Sequence, residues 1–355
     1  MNRMKNILVI CCLSFFVIGC KASKVTEENY FRSAKIELLH GDKMSIRAIS
    51  VTNDRVYYAG DKGRVGYVKF IKENAKINQG EVYDTLVDEN RSIAISNSNV
   101  FVLNAGNPAV LRKYSKNLFD NEIVYTEKGE KVFYDSMQFW NDNEGIAIGD
   151  PIEGCFSIII TRNGGKTWTK VPCDKLPTMV DGEAAFAASN TNIVIKGNHT
   201  WLVSGGKKAR VFYSSDKGKT WKVYETPIVQ GETMTGIFTA DFYNEKIGCI
   251  AGGNYEKLNQ NFQNKAITTD GGKTWKLVGE NAGFGYASCI QFVPNSNGKQ
   301  LVCLGASGLF YSYDSGKNWN QLDSDPNLYT IRFLNPTTAI AAGKNKIVRI
   351  VFSNK

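Results

Sequence analysis

Apolar residues recur along this chain in short alternating runs, separated by turns rich in Asn, Asp and Gly, and no long stretch repeats them at helical spacing. Alternation puts successive side chains on opposite faces of a strand, so the chain reads as all-β. One plot repeats throughout. An apolar strand leads through a polar turn to a second strand that usually ends at glycine, as in VYYAG, FVLNAG, GIAIG, WLVSGG, GCIAGG, LVCLG and TAIAAG. Seven first strands are predicted, at Ser45–Val51, Arg91–Ile95, Phe133–Trp140, Ala184–Ala188, Gly236–Phe242, Tyr286–Val293 and Leu328–Leu334. Residues 34–355 divided by seven give about 46 residues per unit, the length of a four-stranded propeller blade. The seventh unit runs out of sequence before its fourth strand, while AKIELLH at 34–40 is a strand with no hairpin partner. Pairing the two would close a seven-bladed β-propeller and leave no long open edge. Residues 34–355 are therefore expected to form a single domain.

Four units share a hairpin, written TRNGGKTWTK, SSDKGKTWKV, TTDGGKTWKL and SYDSGKNWNQ. Gly-Lys-Thr suggests a phosphate loop, but that loop needs a glycine five residues before the Gly-Lys pair. Ile160, Tyr213 and Ile267 stand there instead, and a Trp rather than a helix follows each Thr. Turn chemistry explains the frame better. Asn163, Asp216, Asp270 or Asp314 accepts backbone N–H bonds inside a tight turn. Gly165, Gly218, Gly272 or Gly316 supplies the positive φ, and Trp168, Trp221, Trp275 or Trp319 opens the return strand with a large apolar face. The frame resembles the Asp-box, or bacterial neuraminidase repeat, carried on the blades of β-propellers, and it is read as structural.

Residues 1–19 have the form of a secretory leader: Arg3 and Lys5, an apolar run from Ile7 to Ile18, then Val17-Ile18-Gly19-Cys20. That ending resembles a lipobox, which implies a lipoprotein signal peptide and a lipidated Cys20, with residues 20–33 as a tether to a membrane. Five cysteines remain beyond it, Cys155, Cys173, Cys249, Cys289 and Cys303. Their odd number and irregular spacing suit core packing, with room for one disulfide, and two distant histidines, His40 and His199, read as surface residues rather than metal ligands. Losing Arg3 and Lys5 brings the formal charge from +9 to +7. Many of the lysines lie scattered through the repeated hairpins and form no stripe, which argues against a nucleic-acid groove and leaves a mild attraction to anionic surfaces.

Aligning the first strands puts Arg47, Arg91 and Arg332 in one slot, with Asp135 in the same slot of the third unit and Glu183 beside it in the fourth. First strands line a propeller's channel, so basic residues would hold one side of it and acidic residues the next. This arrangement serves either a channel-mouth site gripping a carboxylate or polar peptide, or ion pairs cementing the blades. Asp150, Arg210 and Tyr255 follow second-strand ends and so belong near a loop face, where insertions at 173–182 and 254–265 add a rim.

FYDSMQFWNDNEGIAIGDP, GEAAFAASNTNI, GGKKARVFYSSDKGKTW and AITTDGGKTWKL extend the likeness over most of the chain, which is similar to bacterial propellers grouped with photosystem II stability/assembly factors. That resemblance implies a binding or assembly role toward envelope partners. Some relatives carry the label oxidoreductase, but no strand–GxGxxG–helix unit is present, so neither a cofactor nor a metal is expected. Sialidases share the Asp-box, yet no Arg-Ile-Pro motif or Tyr/Glu pair accompanies the arginines here. The expectation is a monomeric, lipid-anchored cell-envelope scaffold for a protein or glycan partner, with a glycan-acting hydrolase at the channel as the alternative.

Overall fold

A computed structural model describes residues 30–70, 79–86 and 89–354; the leader, Cys20 and most of the tether lie outside them. Every pairing among the described strands is antiparallel, and together they form six hydrogen-bonded sheets arranged as a β-propeller. Four sheets have four strands each. A six-stranded sheet joins the two ends of the chain. Its strand Ser33–Val51 runs beside Thr338–Ser353, with Ser33 opposite Ser353, Ile36 opposite Ile350 and His40 opposite Ile347. The segment at 34–40 thus finds its partner at the other end of the chain, and no long edge is left bare there.

The core lies between neighbouring sheets. In one such layer Trp201 stacks on Phe242 at 3.8 Å, and in another Phe101 packs on Phe139 at 4.7 Å with Trp168 edge-on to both. The Asp-box hairpins feed these layers. Asp270 accepts the N–H groups of Lys273 and Thr274 at 3.0 Å and the Thr274 hydroxyl at 2.7 Å, while Thr268 Oγ1 accepts the Gly272 N–H at 2.9 Å. Gly272 has φ +87°, and a Cβ there would come within 3.2 Å of the Trp201 ring. Burial pushes Asp270 upward, but these donors outweigh it and bring its carboxyl down to about 2; Asp216 follows the same pattern. The Asn163 copy keeps one backbone bond, from Thr167 N at 3.0 Å, and its amide donates to Thr167 Oγ1 in place of the second carboxylate oxygen's role.

The fourth unit departs from the sequence reading. Its expected first strand at 184–188 shrinks to Glu183–Ala184, which pairs with Gly205–Gly206 on the neighbouring sheet, and the fourth sheet begins only at Ile193–Lys196. The residues between leave strand geometry because their polar groups are satisfied elsewhere. Asn190 adopts φ +58°, its side chain donates to Ile93 O at 2.8 Å and accepts from Met137 N at 3.0 Å, and Thr191 Oγ1 bonds Thr239 Oγ1 at 2.8 Å. Ser189 donates to Ser288 O, and Thr330 donates to Ser189 O. Hydrogen bonds to the innermost strands of the five other sheets place residues 187–191 at the centre of the ring, where they occupy its bore.

Cysteine usage is mixed. Cys155 and Cys173 form a disulfide, while Cys249, Cys289 and Cys303 are buried thiols. His40 and His199 are both half-buried rather than freely exposed, and His199 Nδ1 lies 2.6 Å from the Tyr213 hydroxyl.

Candidate binding site

Arg47, Arg91 and Arg332 converge as their shared slot requires, but each turns toward the axial segment. Arg91 donates to Ala187 O at 2.8 Å, Arg47 to Ala188 O at 3.3 Å, and Arg332 to Ser189 O at 3.1 Å and Asn190 O at 3.3 Å. Three neighbouring guanidinia thereby hold consecutive carbonyls of one bent stretch. Burial, then repulsion from Arg47, weakens the hold of Arg91 on its charge, which Glu89 opposes through an ion pair at 2.6 Å.

The acids separate into two groups. Asp135 is fully buried, with neither carboxylate oxygen hydrogen-bonded, and burial followed by the Asp150 charge raises it well above the usual carboxylate range. Asp150 accepts the Ala185 N–H at 3.0 Å and is pushed up to about 6 by burial. Glu183 leaves the channel. Arg210 donates to it at 3.0 Å, as do Ser204 Oγ and Val180 N, so this pair anchors the entry to the axial segment.

Two cavities open among the loops that join second to third strands and fourth strands to the next first strand. One, of about 550 Å³, is bounded by Asp150, Lys131, Glu153 and the 173–182 insertion, which the Cys155–Cys173 bridge ties down. Glycoside hydrolysis needs two carboxylates facing one substrate. Asp150, Glu153, Asp181 and Glu183 line this cavity, whereas Asp135 does not reach it.

The other cavity, of about 280 Å³, joins Arg47 to Tyr255, Leu258, Tyr286 and Tyr329. The Arg47 guanidinium lies 4.3 Å over the Tyr329 ring, a cation–π geometry. Tyr255 meets Tyr286 edge-on at 5.0 Å, and Leu258 O accepts the Tyr286 N–H at 2.9 Å, so the 254–265 insertion forms the rim. Tyr255 and Leu258 remain about two-fifths exposed, an apolar lip around a cation. Sequence reasoning singled out Arg47, Tyr255 and the insertion but missed Tyr286 and Tyr329. Their signal was an aromatic at the start of two successive first strands, in YASC and YTIR.

The fold and its turns define a β-propeller built with Asp-box hairpins. Residues 266–277 are a BNR/Asp-box repeat. No protein of curated function matches the chain in sequence. In three dimensions it is similar to YCF48 bound to a D1 peptide, at 12% identity over 91% of this chain and 96% of that one, with a TM-score of 0.63. YCF48 from Cyanidioschyzon merolae is similar at 13% identity, 90% and 98% coverage and a TM-score of 0.61. The WD40 propeller domain of Doa1 superposes at 12% identity, 91% and 98% coverage and a TM-score of 0.61. Likeness at this identity establishes the propeller fold.

Proposed function

We propose that this chain is a lipid-anchored envelope scaffold whose aromatic channel mouth binds an extended segment of a partner protein. The observation that carries the reading is Arg47 itself. A guanidinium has five N–H donors, and Arg47 commits one hydrogen bond to the axial segment while lining an open aromatic cavity. Its remaining donors suit a carbonyl or carboxylate of a peptide, and the tyrosines and Leu258 suit an apolar side chain beside it. The structurally similar YCF48 is a propeller seen with a bound peptide, which supports the same use of the fold here.

The ring in this reading has seven blades. Both long strands of the sheet that joins the chain ends are irregular, with a register shift between Gly41 and Ser45 in one and a φ of 64° at Asn345 in the other. The first half of Ser33–Val51 then completes a last blade with the C-terminal strands, and its second half opens the first blade. Cys20 carries the acyl anchor and residues 20–33 the tether.

Purification of the tagged, acylated chain from its own membrane in mild detergent is expected to bring down a stoichiometric protein partner. Tyr255→Ala should release it while Tm moves by less than about 2 °C, because Tyr255 lies on the rim, and Arg47→Met should release it at a further cost in Tm, because Arg47 also donates to Ala188 O. Retention of the partner by both variants would overturn the site.

A further inference from the structure

Antiparallel hairpins place alternate turns on opposite faces of the ring, and the two faces differ in chemistry. The Asp-box turns lie beside the turns between first and second strands: Gly164 N donates to Asn143 O and Gly271 N to Lys246 O, both at 2.9 Å, and Ser315 N to Lys299 O at 2.7 Å. Contacts from sheet to sheet, such as Asn297 N to Tyr243 Oη at 3.1 Å and Arg55 to Lys116 O at 3.4 Å, join these turns into one face. The aromatic mouth opens on the other.

The chain's N-terminal end emerges on the Asp-box face. Ser33 pairs with Ser353, Phe352 N donates to Thr337 O at 2.9 Å, and Tyr30 stacks at 4.4 Å on Tyr313, inside the Asp-box turn of the sixth unit. Tyr30 lies ten positions after Cys20, a reach of at most about 35 Å. An acyl chain on Cys20 would hold this face close to the bilayer.

The side chains there fit such a surface. Lys166, Lys219, Lys273 and Lys317 stand exposed at the tips of the four Asp-box turns, with no ion-pair partner among the described residues. The acids of these turns point inward, accepting turn N–H groups. Phe119, on the corresponding turn of the second unit, is 81% exposed, the position of an aromatic that enters a headgroup layer. The mouth face exposes acids such as Glu153, Asp181 and Glu256, and on the Asp-box face the turns between first and second strands expose Asp54, Asp142 and Glu245, so the lysines and Phe119 are what set that face apart.

We propose that the Asp-box face docks on anionic lipid headgroups and thereby aims the aromatic mouth away from the membrane, toward its partner. This rests on the reading of Cys20 as an acylated anchor. The test labels the full acylated chain, in vesicles of phosphatidylglycerol and phosphatidylcholine or of phosphatidylcholine alone, with a membrane-impermeant amine reagent, and reads each lysine by mass spectrometry. Lys166, Lys219, Lys273 and Lys317 are expected to react at least about fivefold more slowly in the anionic vesicles, the scale of one lysine's attraction to such a surface. Lys62, Lys207 and Lys344, exposed on the opposite face, should react alike in both. Equal protection of the two faces, or protection of Lys62, Lys207 and Lys344 alone, would overturn the orientation. The mass of the N-terminal peptide separates the two readings: an unmodified Cys20 overturns anchor and orientation together, whereas an acylated Cys20 with evenly labelled faces overturns the orientation only.

Discussion

Asp150 and Asp270 show how neighbours decide what a carboxylate does. Asp270 was legible in the sequence because everything it needs lies within four residues: the donors it accepts, the glycine that turns the chain, and the threonine that caps it. Asp150 was placed near a loop face, but its burial comes from residues distant in sequence. The two have opposite effects on pH stability. Asp270 and Asp216, held near about 2, contribute stability above the ordinary value of 3.8, and it is lost as pH falls from there toward 2. Asp150, raised to about 6, binds a proton more tightly in the folded state, so stability is higher below 3.8 and declines as pH rises from 3.8 through 6. Asp150→Asn should therefore flatten the decline in Tm across that window while keeping the bond from Ala185. A decline of unchanged slope, measured by thermal melts at several pH values, would assign it to other groups.

Elements that close on themselves were legible, and elements held from afar were not. The Asp-box hairpins carry their constraints locally, and Asp270→Ala is expected to cost about 1 to 3 kcal/mol by removing the acceptor of three turn donors. Thermal stability equal to the parent would sink the structural role of the box. The stretch at 184–188 reads as a strand because AAFAA is apolar and follows an acid at a slot position. Its actual path depends on arginines from three other units, which no local pattern reports. The disulfide was hidden for a related reason. Cys155 and Cys173 are 18 residues apart, and only the folded-back 173–182 insertion brings them together.

At the scale of the whole molecule, closure was legible because the last unit visibly lacked a strand. Its strength can be tested by removing residues 30–41, which strips the cover from Val348, Ile350 and Phe352 and bares a strand edge. The truncated chain is expected to elute as aggregate by size-exclusion chromatography, whereas a monomer with the parent Tm would show that closure contributes little. The axial segment carries a different consequence. In arrays of repeats each unit touches only its neighbours, so parts can melt while the rest survives. Here residues 187–191 share hydrogen bonds with the innermost strands of five other sheets, and no arc of the ring can come apart without releasing them. A protein written as repeats is thereby made to unfold as one cooperative unit.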